Sequence, residues 1–388
     1  MLISRNKKEE KKKTTLSEVS KKLSELIIPI SLVSTPINLK EEKSKFFDSE
    51  TYNPQFKYRF VKNRNEAIFE DLLQIEEIID VDPRLSDFYI KLIKDKKLAS
   101  DLMNAIGDNE KFTAISKEKF RMPKPSLFRN ACMVMKGKLS SYNVVNTSRL
   151  EKSDYLVYED IEKIFDAVFH EFGIENWGVE KSKNISSNGV KTAIKKKRVY
   201  VDPNIKKTVL EAKKTVVHEL THVLRAYNGE LTGFVALGKP NLTNYLDVEE
   251  GLAMYNEEQM GLLKDIDLKE RAGTIYAIYI GEDLSFRKLY NVLLGSFNKQ
   301  KAFKIAYLVK RGIGDTSKPG ISVKPVVYFR GFRKIRKRFQ TDASLLKKLY
   351  AGKISFVQAS WVDEGLIPEP KIVPSEEVFK AAFKKAGV

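Results

Sequence analysis

Val216-Val-His-Glu-Leu-Thr-His222 is the stretch whose reading decides the fold. His218 and His222 stand at i and i+4, so on a helix both imidazoles leave one face a turn apart and converge on one point. Imidazole nitrogens at that spacing suit a zinc ion. Glu219, one residue past the first histidine, reaches the edge of such a site and fits the general base of a hydrolytic metal centre. Two of only three histidines in 388 residues fall in this pattern. A catalytic zinc wants a third protein ligand, and Asn244-Tyr-Leu-Asp-Val-Glu-Glu-Gly-Leu-Ala253 supplies adjacent carboxylates at Glu249 and Glu250. Neighbours on a helix point about 100° apart, so one of them faces the metal. Gly251 permits a close helix crossing beside Glu250, which makes Glu250 the ligand and leaves Glu249 as either a solvated carboxylate or an acceptor that orients a histidine from behind. The third histidine, His170, reads as the end of a different helix.

Outward from this centre, the spacing predicts a helix over residues 205–227, stopped by Asn228-Gly229. The runs 177–183, 191–194 and 198–201 read as short strands, with Ser186-Ser-Asn-Gly189 as a hairpin turn. One of the last two strands is the expected edge for pairing with an extended peptide. Helical periodicity covers 15–28, 38–47, 155–172, most of 65–108 and most of the chain to about 351. Ile68, Leu72, Ile75 and Ile79 fall on one helical face, and Pro325-Val-Val-Tyr-Phe329 reads as a strand. Residues 1–14, rich in Lys and Glu, read as disordered or frayed.

The formal net charge is +18, which favours acidic partners. The single cysteine, Cys132, forms no internal disulfide and fits a reducing compartment. The apolar run 26–33 is too short to span a bilayer and contains Pro29, and no signal-peptide pattern opens the chain. The expectation is a cytoplasmic protein without membrane contact.

The stretches Thr35-Pro-Ile-Asn38, Lys45-Phe-Phe47, Tyr52-Asn-Pro-Gln-Phe-Lys-Tyr58, Thr221-His-Val-Leu-Arg-Ala-Tyr-Asn-Gly229, Glu249-Glu-Gly-Leu-Ala253, Lys310-Arg-Gly312, Asp315-Thr-Ser-Lys-Pro-Gly320, Val327-Tyr-Phe-Arg-Gly331 and Tyr350-Ala-Gly-Lys-Ile-Ser355 resemble the QEGLA-motif family of gluzincin-type peptidases. The microtubule-associated tyrosine carboxypeptidases belong to that family. Two departures stand out: the family's histidines are usually separated by one more residue, and Pro325 replaces a customary acidic residue. The resemblance implies an α+β, zincin-like metallopeptidase domain, mostly helical, with a small mixed sheet beside the zinc-binding helix. It would span 35–388, after a basic extension at 1–34 with one amphipathic helix. It further implies one zinc per chain and removal of an aromatic, tyrosine-like residue from a peptide or protein C-terminus, possibly acidic in its sequence. Such an enzyme needs a cation for the terminal carboxylate, and Arg225, Arg311 and Arg330 lie in the matching stretches. Tyr255 and Tyr328 are the candidate oxyanion stabilisers. The competing reading is a basic nucleic-acid or acidic-polymer binding protein with a structural or vestigial zinc site, carried by the basic, aromatic-interleaved run Arg330–Phe339; the intact Glu219 disfavours it.

Overall fold

A computed structural model describes residues 12–61, 64–147, 155–183 and 189–388. The chain divides into two compact units. One comprises Met1–Met122, Asn241–Thr243 and Ile280–Lys324; the other comprises Pro123–Pro240, Asn244–Tyr279 and Pro325–Val388. Both are mainly helical with small sheets, an α+β composition.

In the first unit, Thr15 caps the helix Leu16–Glu25 in a reciprocal box with Glu18. Asp82 caps Pro83–Asn104, where Pro83 occupies the first turn, the place its missing N–H costs nothing. The predicted helical face through Ile75 and Ile79 does not form. The helix stops at Leu72, and Ile75–Ile78 pairs in parallel with Lys12–Thr14. Ile75 and Ile78 are buried and Ile79 is exposed, so strand pairing overrides the helical spacing. Phe46 centres an aromatic core, with Tyr290, Phe286 and Phe303 at centroid distances of 4.8, 5.1 and 5.2 Å.

The second unit is built round the helix Val209–Leu231, hereafter the His helix. Thr208 caps it in a box with Glu211. The helix runs past the expected stop at Asn228-Gly229. Gly229 serves as a contact point instead: a Cβ there would collide with the carbonyl of Leu237. Asn228 turns its side chain to residues 371–372, accepting from both N–H groups at 3.1 Å and donating to the Ile372 carbonyl.

A three-stranded mixed sheet lies against the His helix. Arg198–Val201 is its centre, parallel to Gly178–Lys181 and antiparallel to Val190–Ala193. Of the two candidate edge strands, only Val190–Ala193 is at an edge. The turn expected at Ser186–Gly189 lies outside the described residues up to its last position. Thr243–Gln259, hereafter the Glu helix, crosses Val326–Thr341 with Gly251 against Gly331, where neither position has room for a Cβ. Pro325 opens that second helix rather than a strand, because its fixed φ suits a helix start. Among the described residues, no helix is long and apolar enough to cross a membrane.

Candidate active site

The His helix presents His218 and His222 from consecutive turns, their ring centroids 5.0 Å apart and nearly perpendicular. The Glu helix presents Glu250 opposite them. Ligand atoms of His218, His222 and Glu250 all lie within 4.8 Å of one another. Oε2 of Glu250 stands 3.5 Å from Nε2 of His218, is buried, and has no hydrogen-bond partner. A buried carboxylate oxygen without a partner is costly unless a cation meets it.

The Glu helix also supplies the groups behind the histidines. Nδ1 of His218 donates to Glu257 at 2.7 Å, and Nδ1 of His222 donates to Glu249 at 3.1 Å. Each bond turns the opposite nitrogen, Nε2, toward Glu250 and holds the ring in that orientation. Glu249 is itself held by Lys353 and Arg225, both fully buried. Lys353 also donates to the carbonyl of His222 at 3.3 Å. Lower down the helix pair, Asn256 donates to Thr221 at 2.8 Å and to the Tyr350 hydroxyl at 2.6 Å.

Electrostatics follow from this packing. Burial alone would raise Glu249, but Lys353 and Arg225 outweigh it and hold its carboxyl well below the usual range. Burial would likewise raise Glu250, and the two histidines pull it down. Burial would lower His218, yet the adjacent carboxylates of Glu250 and Glu257 push it up to about 10. Glu249, Glu250 and Glu257 face the two rings, and Arg225 and Lys353 both act on Glu249. A cation between the rings and Glu250 would meet the carboxylate oxygen that lacks a hydrogen-bond partner. The donor set of two imidazoles and one carboxylate fits zinc.

Glu219 is not among the converging ligands. Its Oε2 accepts from the Thr192 hydroxyl at 2.5 Å and from the Thr192 N–H at 3.2 Å. Thr192 sits on the edge strand Val190–Ala193. The edge of the sheet and the side chain beside the first histidine are therefore joined directly.

The other nominated residues sit elsewhere. Arg225 donates through Nε to the Leu349 carbonyl at 3.0 Å and through its other nitrogens to Glu249 and Ile354. It is a buried strut, not an open clamp. Arg311 belongs to the first unit, where it binds the carbonyls of Ser34 and Ser31. Arg330 forks onto Asp247, with contacts at 2.8 and 3.0 Å. Three donor sets are thus already used internally. Tyr255 packs edge-on against Phe339, and Tyr328 lies under the guanidinium of Arg271. Four of the six basic residues in the run Arg330–Phe339 are used in the same way: Lys334 joins Arg330 on Asp247, Arg333 binds Asn130, and Arg336 pairs with Glu258 at 3.0 Å, while Lys337 and Arg338 are exposed. Exposed His170 contacts Glu171 and Lys385 at its helix end.

Glu257, Lys353 and Thr192 were not legible as site residues. Glu257 follows Glu250 by seven residues, two helical turns, so its register on one face was a usable signal. Lys353 and Thr192 come from distant segments and carry no local one.

Two histidines a turn apart, a carboxylate beside the first, and a third ligand from a second helix make the donor set of a metallopeptidase. The chain matches the family described as microtubule-associated tyrosine carboxypeptidase over residues 44–382 and belongs to it. It is accordingly a peptidase of the carboxypeptidase class. A comparison with individually curated proteins finds no match.

Proposed function

We propose that this chain is a zinc-dependent carboxypeptidase of zincin-like architecture, with His218, His222 and Glu250 as ligands of one zinc per chain and Glu219 as general base. The observation that carries this reading is the convergence of those three side chains round a buried oxygen of Glu250 that has no hydrogen-bond partner. Zinc bound there supplies Lewis acidity toward a scissile carbonyl and a water.

The protein's own groups do the rest. Glu257 and Glu249 hold the two rings by Nδ1, so that both Nε2 atoms stay committed to the ligand position. Lys353 and Arg225 keep Glu249 ionised for that task. Thr192 fixes one oxygen of Glu219, and Glu219 takes the proton of the attacking water and delivers it to the leaving amine. An extended peptide laid along Val190–Ala193 by strand addition would bring its backbone past Glu219.

The substrate we infer is a protein or peptide C-terminus ending in tyrosine or another aromatic residue, in keeping with the family's description. The net charge of +18 favours an acidic tail. A cytoplasmic setting accords with the lone cysteine. The test is mass spectrometry of a C-terminally varied peptide library after incubation with zinc-loaded protein. Release of single C-terminal residues is the expected outcome; cleavage at internal bonds, equal for free-acid and amidated peptides, would overturn it.

A further inference from the structure

A carboxypeptidase reads the free carboxylate at the end of its substrate, and a cation must meet it. Arg225 and Arg330, the nominated arginines of the unit that holds the histidines, both have their forks on internal partners. The same unit contains a second basic cluster, beside Glu257. Lys264 pairs with Glu211 at 2.7 Å and lies 4.0 Å from Asp267, and Lys214 pairs with Asp267. Lys207 and Arg271 belong to the same cluster, each within electrostatic reach of Lys214. Two of these four cations, Lys264 and Lys214, are in direct ion pairs, with Glu211 and Asp267.

The other two are Lys207 and Arg271. Both are half-buried, and among the described residues neither side chain has a hydrogen bond or ion pair. Arg271 lies over the ring of Tyr328, its central carbon 4.0 Å from the ring centroid. That cation–π contact holds the guanidinium without using its N–H donors. The cluster is tied to the metal site at two points. Glu257, which holds His218, acts on Lys214, and Glu219 acts on Lys207. Burial and Lys214 hold the Lys207 ammonium below its ordinary value, a cost that an anion beside it would relieve.

We propose that Arg271 and Lys207 form the site for the substrate's free C-terminal carboxylate, Arg271 through its two-pronged fork and Lys207 as a point charge. The assignment rests on the carboxypeptidase reading above. It makes the contact of Arg271 with Tyr328 a device that positions the fork, and it leaves the strand Val190–Ala193 to the peptide backbone.

The experiment measures binding rather than turnover. Zinc-loaded Glu219→Gln protein is titrated by fluorescence anisotropy with a labelled peptide ending in Glu-Tyr, with its C-terminal amide, and with a Gln-Tyr free acid. The parent is expected to prefer the free acids. Adding Arg271→Gln should weaken free-acid binding by roughly 10- to 100-fold, the scale of a lost charged hydrogen-bond pair, and leave amide binding unchanged. Arg271→Lys should recover part of the loss, and Lys207→Gln should show a smaller loss. Melting curves and zinc content identify any variant that is misfolded, and Lys207→Gln then carries the test alone. Retained free-acid preference in Arg271→Gln and Lys207→Gln overturns the proposal. So does a loss that follows the penultimate Glu instead of the terminus. A parent without free-acid preference overturns it too. The carboxypeptidase reading fails separately, by internal cleavage in the library assay.

Discussion

Lys353 and Lys310 are both fully buried lysines, one in each unit, and they are used differently. Lys310 donates to three backbone carbonyls, those of Gly281, Leu284 and Gly320, at 2.8, 2.5 and 2.6 Å. Its neighbours follow suit: Arg311 binds the carbonyls of Ser31 and Ser34, and Arg287 those of Phe46 and Ser49. Around Lys310 these cations bind backbone carbonyls. Lys353 instead meets a carboxylate, Glu249, which passes the interaction on to His222. A cation on carbonyls satisfies backbone; a cation on a carboxylate sets the charge and aim of whatever that carboxylate holds. What separates the two lysines is the acceptor and what that acceptor holds in turn.

The largest effect expected is at the end of the carboxylate chain. Glu219→Gln should keep its zinc and lower peptidase turnover by at least about 100-fold, the scale of general-base contributions. Metal analysis and steady-state kinetics check both halves; loss of metal, or turnover equal to the parent's, refutes the role. Next comes Lys353→Met. It leaves Glu249 with one buried cation fewer, and should cost about 3 kcal/mol or more in chemical denaturation. It should also weaken zinc by roughly 10- to 100-fold in a chelator competition, as loss of an outer partner of a ligand does. Lys310→Met leaves three carbonyls without their donor and should cost about 3 kcal/mol. Its zinc affinity should equal the parent's. Equal loss of zinc in the two variants would erase the distinction between the lysines.

What could be read from sequence was what repeats within a turn or two. His218, Glu219 and His222 are grouped by helical spacing alone, and Gly251 did mark a close helix crossing. The partner proved to be Val326–Thr341, whose first turn had read as a strand because Val326, Val327 and Phe329 are apolar and β-prone; all three are buried in a helix. Ile75–Ile79 failed in the opposite sense, since its strand partner is sixty residues away in sequence and unmarked by any local pattern. The three arginines illustrate a further limit. Their proximity to matching stretches was legible, but whether a fork is open depends on Asp247, Glu249 and carbonyls brought in by folding. Thr192 against Glu219 is of the same kind, joining a strand to a helix 27 residues on.

Gly229 offers the smallest test and the sharpest one for local against tertiary rules. Within a helix, Ala is favoured over Gly by about 1 kcal/mol, so propensity predicts that Gly229→Ala stabilises the protein. The structure predicts the reverse. The new Cβ would overlap the carbonyl of Leu237 and press on the N–H of Gly238, and backbone atoms cannot swing aside as a side-chain tip does. Overpacking of this kind costs about 1–3 kcal/mol, enough to outweigh the propensity gain. Gly295 in the other unit is the control. It is exposed, and its nearest atom, the Val292 carbonyl oxygen, lies at 3.4 Å, so Gly295→Ala should change stability by less than about 0.5 kcal/mol. The Leu237 carbonyl also accepts the N–H of Lys353 at 2.7 Å, so Gly229→Ala should lower the melting temperature and, by disturbing the residue that holds Glu249, weaken zinc as well, though less than Lys353→Met does. A Gly229→Ala variant more stable than the parent would mean that the His helix does end near Asn228 as the sequence suggests, with the Leu237 contact absent in solution.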